Sequence, residues 1–110
     1  WCDDYFFLKH RNEARGVGGI FFDYLQTGDW GKDFEFVQDV GLYFQNFVKN
    51  TLLSLKDEQW NSDDKEIQLK KRSRYAEFNL LYDRGTKFGL ETGGNIDAIL
   101  MSMPPVAKWD

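Results

Sequence analysis

Apolar positions recur at spacings of three and four along one long stretch of the chain, from about Asp33 to Lys56. These positions are Phe34, Val37, Val40, Gly41, Phe44, Phe47, Val48, Leu52 and Leu55. Such spacing is typical of an amphipathic helix, because residues three and four apart share one face. Asp33 and Glu35 lie at the beginning of the stretch and Lys49 and Lys56 towards its end, which suits the helix dipole. The pattern therefore predicts one long helix.

A second helix is expected in the charged segment that follows. Ser62 can act as its N-terminal cap, and Asp63 and Asp64 supply acidic residues in the first turn. We expect this helix to be shorter than the first and to run from Ser62 to about Lys71.

The N-terminal region contains a cluster of glycines. Residues 1–10 fit either the end of a helix or an entering strand. Gly16, Gly18 and Gly19 favour a turn, and the short apolar run at 20–22 favours a buried strand after it. A phosphate-binding loop is disfavoured, because the glycines precede the strand and no GK[ST] sequence follows them.

The stretch from Tyr75 to Tyr82 alternates between two faces, as a half-buried strand does. One face carries Phe78, Leu80 and Tyr82, and the other carries Glu77, Asn79 and Leu81. We expect a turn at residues 83–86, where Gly85 can take a positive φ and Asp83 can accept a hydrogen bond from the backbone ahead. A second strand over residues 87–91 would complete an antiparallel hairpin.

The C-terminal part contains a further bend and one ambiguous element. Gly93 and Gly94 form the bend, residues 96–103 fit either a short helix or a strand, and Pro104 and Pro105 end that element. Together the elements predict an α+β fold, in which an antiparallel β-sheet is flanked by helices. We expect residues 1–110 to form a single domain.

Composition narrows the class of protein. Aromatic residues make up 17% of the 110 residues, enough to form a core and exclude a disordered tail. The net charge of −4 and the scattered basic residues argue against a nucleic-acid partner. Cys2 is the single cysteine, which excludes an intrachain disulfide, and no apolar run reaches the roughly 18 residues of a membrane span. Because the first residue is Trp1 and not methionine, we expect this chain to be a piece of a longer protein. We also expect that protein to be cytoplasmic.

Two places carry candidate chemistry. Asp83 and Arg84 are ordinary turn residues, but at the end of a rigid element they could also form a reactive pair. A carboxylate can accept a proton, and a guanidinium can hold a carboxylate through two hydrogen bonds. His10 is the single histidine, and it could be a surface or capping residue or could help to bind an anion or a metal.

Three motifs in order resemble one family. The stretches YFFLKHRNEARGVGGIFFD, RYAEFNLLYDRGTKFGL and ILMSMPP resemble the C-terminal part of the oxygen-dependent coproporphyrinogen III oxidases. The resemblance covers essentially all 110 residues, and the charged segment at 56–64 is its least similar part. It implies a homodimer built on a large antiparallel sheet flanked by helices, of which this chain is about a third.

The resemblance also implies an activity. Members of the family convert two propionate side chains of coproporphyrinogen III to vinyl groups, which gives protoporphyrinogen IX on the route to haem. Molecular oxygen is the oxidant, and carbon dioxide and hydrogen peroxide leave. No cofactor is implied with certainty, although a divalent metal has been proposed for bacterial members.

Residue roles follow from the same resemblance. The YDRGT motif implies that Asp83 faces the pyrrole N–H groups and assists their deprotonation, and that Arg84 holds a propionate. The LKHRNE motif makes His10 the match to a proposed metal ligand. The substrate-contacting segment is matched by Gly93, Gly94 and Asn95, where Asn95 replaces the usual arginine and removes a charge.

The resemblance also locates an expected interface and leaves rival functions open. Residues 75–110 correspond to the region of dimer contact. Of the two acids in the family's FFDD motif, this chain keeps the first as Asp23 and has Tyr24 in place of the second. Two alternatives to the oxidase therefore remain, a tetrapyrrole-binding module without catalysis and a purely structural dimerisation fragment.

Overall fold

The computed structural model describes residues 1–109, which contain five helices and one two-stranded sheet. In chain order these elements are α1 (Cys2–Tyr5), β1 (Phe7–Leu8), β2 (Glu13–Ala14), α2 (Trp30–Leu55), α3 (Ser62–Leu81), α4 (Arg84–Glu91) and α5 (Ile96–Ile99). They divide into two compact units, one formed by Trp1–Phe21 with the segment from Asn61 onward, and the other by Phe22–Trp60. No helix in this part of the chain has both the length and the apolar character needed to cross a membrane.

A small hairpin opens the first unit. Strands β1 and β2 pair antiparallel, with Phe7 opposite Ala14 and Leu8 opposite Glu13. The turn between them contains Asn12 at a φ of 54°, a left-handed conformation that asparagine tolerates better than most residues. The described residues are thus mostly helical with one small antiparallel sheet, which is compatible with an α+β fold, and residues 1–10 contain both a helix and a strand.

Helix α3 forms most of the core of the first unit. Phe78 is 2% exposed and Leu8 of the hairpin is fully buried. The Phe78 ring lies 5.0 Å from that of Phe6 and 5.8 Å from that of Tyr5, and the Phe21 ring stacks on Tyr5 at 4.6 Å. This aromatic cluster packs around Phe78, which with Leu8 and Ala76 forms the buried core of the described residues, whereas most other aromatic side chains are exposed.

The predicted hairpin over residues 75–91 is wrong. Residues 75–81 are the end of α3, and residues 84–91 form α4. The buried face follows the helical spacing of Arg74 and Phe78, whereas Leu80, which the alternation placed beside Phe78, is half exposed. A short run of apolar residues fits both the helical and the strand period. Here the run is the last part of the long helix α3.

The bend at Gly93 is the end of α4. Gly93 takes a φ of 72°, its N–H lies 3.4 Å from the Leu90 carbonyl, and the Gly94 N–H donates to the Gly89 carbonyl at 2.9 Å. This pair of bonds is the Schellman arrangement that ends helices at a left-handed glycine. A Cβ on Gly94 would lie 3.0 Å from that carbonyl oxygen, so the segment needs both glycines. The predicted positive φ is thus found at Gly93 and not at Gly85, which lies inside α4.

Of the remaining predictions for local structure, the two helices are found with shifted ends and the strand at 20–22 is wrong. The long helix is confirmed as α2, although it begins at Trp30 with Asp29 as its cap. The second helix begins at Ser62 as expected, but its cap is Asn61 and it continues ten residues beyond Lys71. The run at 20–22 is not a strand, because Phe21 joins the aromatic cluster instead of a ladder.

Candidate functional site

The turn between β1 and β2 presents His10 and Arg11 towards α3. Both side chains bind one carboxylate, that of Glu77. Arg11 donates to both oxygens, with Nε 2.6 Å from Oε2 and a second nitrogen 2.7 Å from Oε1. Trp109 adds a third donor, because its indole N–H lies 2.8 Å from Oε1. We call these four residues the Glu77 network.

The Glu77 carboxylate is strongly held in its charged form. Its side chain is only 10% exposed, and burial alone would raise the pKa. The hydrogen bonds from Arg11 dominate, and with the bonds from His10 and Trp109 they lower the pKa of Glu77 to about 2. Glu77 is therefore an acceptor at any pH near neutrality, and every group that contacts it must donate.

This charge state determines how the His10 ring is protonated. Nε2 lies 2.7 Å from Glu77 Oε2, and Nδ1 lies 2.8 Å from the Tyr82 hydroxyl. Because the carboxylate accepts, Nε2 carries a proton, and in a neutral ring Nδ1 is then the bare nitrogen. Neutral His10 consequently accepts the Tyr82 O–H, which leaves the lone pairs of the phenol oxygen free.

The geometry does not fit a metal ion at His10. Both ring nitrogens already have protein partners, so a metal would have to displace either Glu77 or Tyr82. Within residues 1–109, no three side chains of the metal-binding types come together. The metal role of His10 remains a prediction from the resemblance.

Asp83 follows Tyr82 directly and caps α4. Its Oδ2 accepts the Thr86 N–H at 2.7 Å, the forward bond that the sequence predicts for this residue. The other oxygen, Oδ1, stays available to a ligand as far as the described residues go. The side chain is half-buried.

Arg84, the first residue of α4, lines a cleft of about 260 Å³. The lining of this cleft includes Asp4, Tyr5, Lys9, Phe78, Tyr82 and Arg84. The Arg84 guanidinium carbon lies 5.9 Å from the centre of the Tyr5 ring, and within residues 1–109 the group forms no ion pair. An unpaired cation beside aromatic faces can take a carboxylate attached to a flat apolar body.

The expected site residues are only partly brought together. His10, Asp83 and Arg84 meet at the α3–α4 junction through Tyr82. Gly93, Gly94 and Asn95 lie beyond the other end of α4, roughly 12 Å away along eight helical residues. Asn95 caps α5 there, its Oδ1 accepting the Ala98 N–H at 3.2 Å.

Sequence reasoning missed the Glu77 network. The alternating pattern placed Glu77 on the face of a strand opposite Phe78 and gave its carboxylate no chemical role. The available signal was a charged residue next to the buried Phe78 in a run that also fits a helix. The alternation placed Tyr82 on the face of Phe78 and Leu80 and gave it no chemical role, although its hydroxyl contacts His10.

Comparison with known proteins agrees with the resemblance of the motifs. The family model described as coproporphyrinogen III oxidase matches residues 1–110. An oxygen-dependent coproporphyrinogen-III oxidase from Rickettsia bellii (strain OSU 85-389) is 57% identical over 112 residues, covering 98% of this chain and 39% of the relative. The corresponding protein of Rickettsia akari (strain Hartford) is 56% identical over 109 residues, covering 99% and 39%. The chain thus spans about two-fifths of the length of these curated relatives, and it belongs to the coproporphyrinogen III oxidase family.

Proposed function

We propose that the chain is part of an oxygen-dependent coproporphyrinogen III oxidase. The single observation that carries this proposal is the 57% identity to a relative of that name across 98% of the chain. The reaction converts each of two propionates to a vinyl group. Each propionate loses its carboxyl group as carbon dioxide and a hydride equivalent to oxygen, which with a proton becomes hydrogen peroxide.

The cleft beside Arg84 supports this function. Its volume of about 260 Å³ is below the roughly 300–1,000 Å³ of pockets that enclose drug-sized ligands. It therefore fits one edge of a tetrapyrrole, and the rest of the protein would enclose the remainder. The aromatic lining suits a pyrrole ring, and Arg84 suits its carboxylate side chain.

Residue roles are proposed on the same basis. Arg84 binds a propionate, and Asp83 offers its free oxygen to the pyrrole N–H groups. Gly93 and Gly94 offer backbone N–H groups to a second part of the substrate, and Asn95 stands there without the charge of an arginine. Residues 1–110 form part of one domain whose sheet is completed by other parts of the protein.

The region expected to form the dimer has exposed apolar side chains. Phe88 is 68% exposed, and Leu80, Leu81 and Leu90 are exposed as well. Asp110, the last residue of that region, lies outside the described residues. We propose that this surface binds a second copy. Phe88→Asp should then shift the full-length protein from dimer to monomer in sedimentation velocity, whereas Trp60→Asp, an exposed residue outside the region, should not.

The activity is tested in the full-length protein that carries this chain. Wild-type protein supplied with coproporphyrinogen III under air should yield protoporphyrinogen IX. Asp83→Asn should abolish most of that turnover while α4 stays folded, because asparagine caps a helix as well as aspartate does. Absence of product from folded wild-type protein would contradict the proposed function.

The clamp is tested by binding. Coproporphyrin III, the stable oxidised analogue, quenches tryptophan fluorescence when it binds. Arg84→Ala should weaken its affinity by roughly 10–100-fold, since a charge-assisted hydrogen bond contributes about 1.5–3 kcal/mol. Arg72→Ala is the matched control, because Arg72 lies over the Tyr75 ring on α3, away from the cleft. Equal affinities for the two variants would exclude Arg84 as the clamp.

A further inference from the structure

We infer that Lys9 is a second carboxylate-binding residue of the cleft beside Arg84, and that this cleft recognises a flat apolar body with two carboxylates at one edge. The inference rests on the proposed function, because it names the part of the substrate that the cleft receives. It gives a role to a residue that the sequence motifs left without one.

The position of Lys9 follows from the β1–β2 hairpin. Leu8 is fully buried in the core, and successive side chains of an extended chain point to opposite faces. Phe7 and Lys9, on either side of Leu8, therefore lie on the other face, and both line the cleft that Arg84 also lines. The cleft thus receives one cation from the end of β1 and another from the start of α4.

Neither cation is neutralised within residues 1–109. Lys9 is exposed, and both Lys9 and Arg84 lack an ion-pair partner in this part of the chain. Asp4 lines the same cleft, but it too forms no ion pair with them. Two positive groups and one carboxylate leave the described lining with an excess of positive charge, which attracts an anionic ligand.

The two cations suit two different carboxylates. The Arg84 guanidinium carbon lies 5.9 Å from the centre of the Tyr5 ring, and a guanidinium holds one carboxylate through two parallel hydrogen bonds. Lys9 carries its charge on a flexible four-carbon stem, so its ammonium can follow a second carboxylate as a point charge. Arg84 would therefore orient the ligand, and Lys9 would add affinity for a ligand that has another carboxylate nearby.

The lining between the cations determines the body of the ligand. It includes the rings of Tyr5, Phe7, Phe78 and Tyr82, whose faces suit a flat apolar group. Coproporphyrinogen III has a propionate on each pyrrole ring, so an edge that spans neighbouring rings presents two carboxylates. A ligand with one carboxylate would leave one of the two cations unpaired, and the cleft therefore favours the edge with two.

The test measures binding of coproporphyrin III to the full-length protein by tryptophan quenching. Lys9→Gln should weaken the affinity by about 3–10-fold, between the effect of an exposed ion pair and that of a buried charged hydrogen bond. Lys9→Arg should restore most of the affinity, because it restores the charge. Lys65→Gln is the matched control, since Lys65 is an exposed lysine of α3 outside this cleft, and it should bind as wild type does.

Three further readouts separate a lost charge from a change of fold. The difference between wild type and Lys9→Gln should shrink as the salt concentration rises from about 0.1 to about 1 M, because salt screens exposed charges. In turnover, KM should rise by the same factor as the dissociation constant while kcat stays close to wild type. The losses in Lys9→Gln and Arg84→Ala should multiply in the double variant, because the two residues bind different carboxylates.

The outcomes distinguish this inference from the function on which it rests. A loss smaller than about 3-fold in Lys9→Gln, beside a clear loss in Arg84→Ala, would overturn the role of Lys9 and leave the proposed function standing. A double variant no weaker than Arg84→Ala alone would also overturn it, because the two cations would then share one carboxylate. Wild-type protein that neither binds coproporphyrin III nor turns over coproporphyrinogen III would overturn both.

Discussion

Helices α2 and α3 are the two long helices of the chain, with 26 and 20 residues, and they differ in what surrounds them. Helix α3 buries Phe78 and fixes the Glu77 carboxylate between three donors. Helix α2 has the more regular apolar pattern, yet it has no buried residue in its own unit, and Phe44 is 66% exposed. A regular apolar pattern thus identifies a helix face that can be covered by another element, but it does not show that the face is buried. The residues that stabilise the fold are those with many buried contacts.

The largest expected effect separates the two helices by stability. Phe78→Ala removes a fully buried ring from the aromatic cluster and should lower the free energy of unfolding by roughly 3–5 kcal/mol. Phe44→Ala removes an exposed ring from α2 and should change it by less than about 0.5 kcal/mol. Urea denaturation followed by circular dichroism measures both. Equal losses would mean that α2 packs more tightly than its exposure indicates.

The second effect concerns the charge at the centre of the Glu77 network. Glu77→Gln should lower stability at pH 7 by about 3 kcal/mol, the equivalent of a pKa held about 2.5 units below its ordinary value. Because the pKa is depressed on folding, the stabilisation is complete above about pH 4.5 and disappears as the pH falls to about 2. The wild-type protein should therefore lose stability across this window, and the variant should lose less.

The control for that measurement is a carboxylate outside the network. Glu66 pairs with Lys108 at the surface, where exposed ion pairs contribute about 1 kcal/mol or less. Glu66→Gln should accordingly leave both the stability at pH 7 and the acid profile close to wild type. A Glu77→Gln profile that matches the wild-type profile would show that the network does not hold this charge.

Sequence patterns predicted α2 well because its period extends over seven turns. They failed at residues 75–91, where Phe78, Leu80 and Tyr82 also fit an alternating pattern over a span too short to separate the two periods. The residues of the site were easier to find than their geometry. His10, Asp83 and Arg84 come from motifs, whereas Glu77 and Tyr82 depend on contacts across 67 and 72 residues that no local pattern contains.

The third effect contrasts two glycines. Gly93→Ala places a Cβ on a residue with a φ of 72° and should cost about 1–2 kcal/mol. Gly41 lies inside α2 with open space around it, so Gly41→Ala should add about 0.5–1 kcal/mol of stability. Thermal unfolding of the two variants should therefore shift in opposite directions. A Gly41→Ala variant that unfolds earlier would indicate that this face of α2 is covered in solution.

The smallest effect tests where α3 begins. The Asn61 side chain accepts the backbone N–H groups of Asp63 and Asp64 at 2.7 and 3.1 Å, and Asp64 bonds back to the Asn61 N–H at 2.9 Å. Asn61→Ala removes this capping box and should cost about 1 kcal/mol. Ser62→Ala should cost almost nothing, because Ser62 is already helical and does not cap. The helical content at moderate urea distinguishes the two variants. A larger loss of helix in Ser62→Ala than in Asn61→Ala would show that Ser62 is the cap, as the sequence predicted. Glu77 lies towards the other end of α3. If Asn61→Ala frays the start of α3 and leaves the dependence of stability on pH unchanged, the Glu77 network is stabilised by its own contacts and not by the start of the helix.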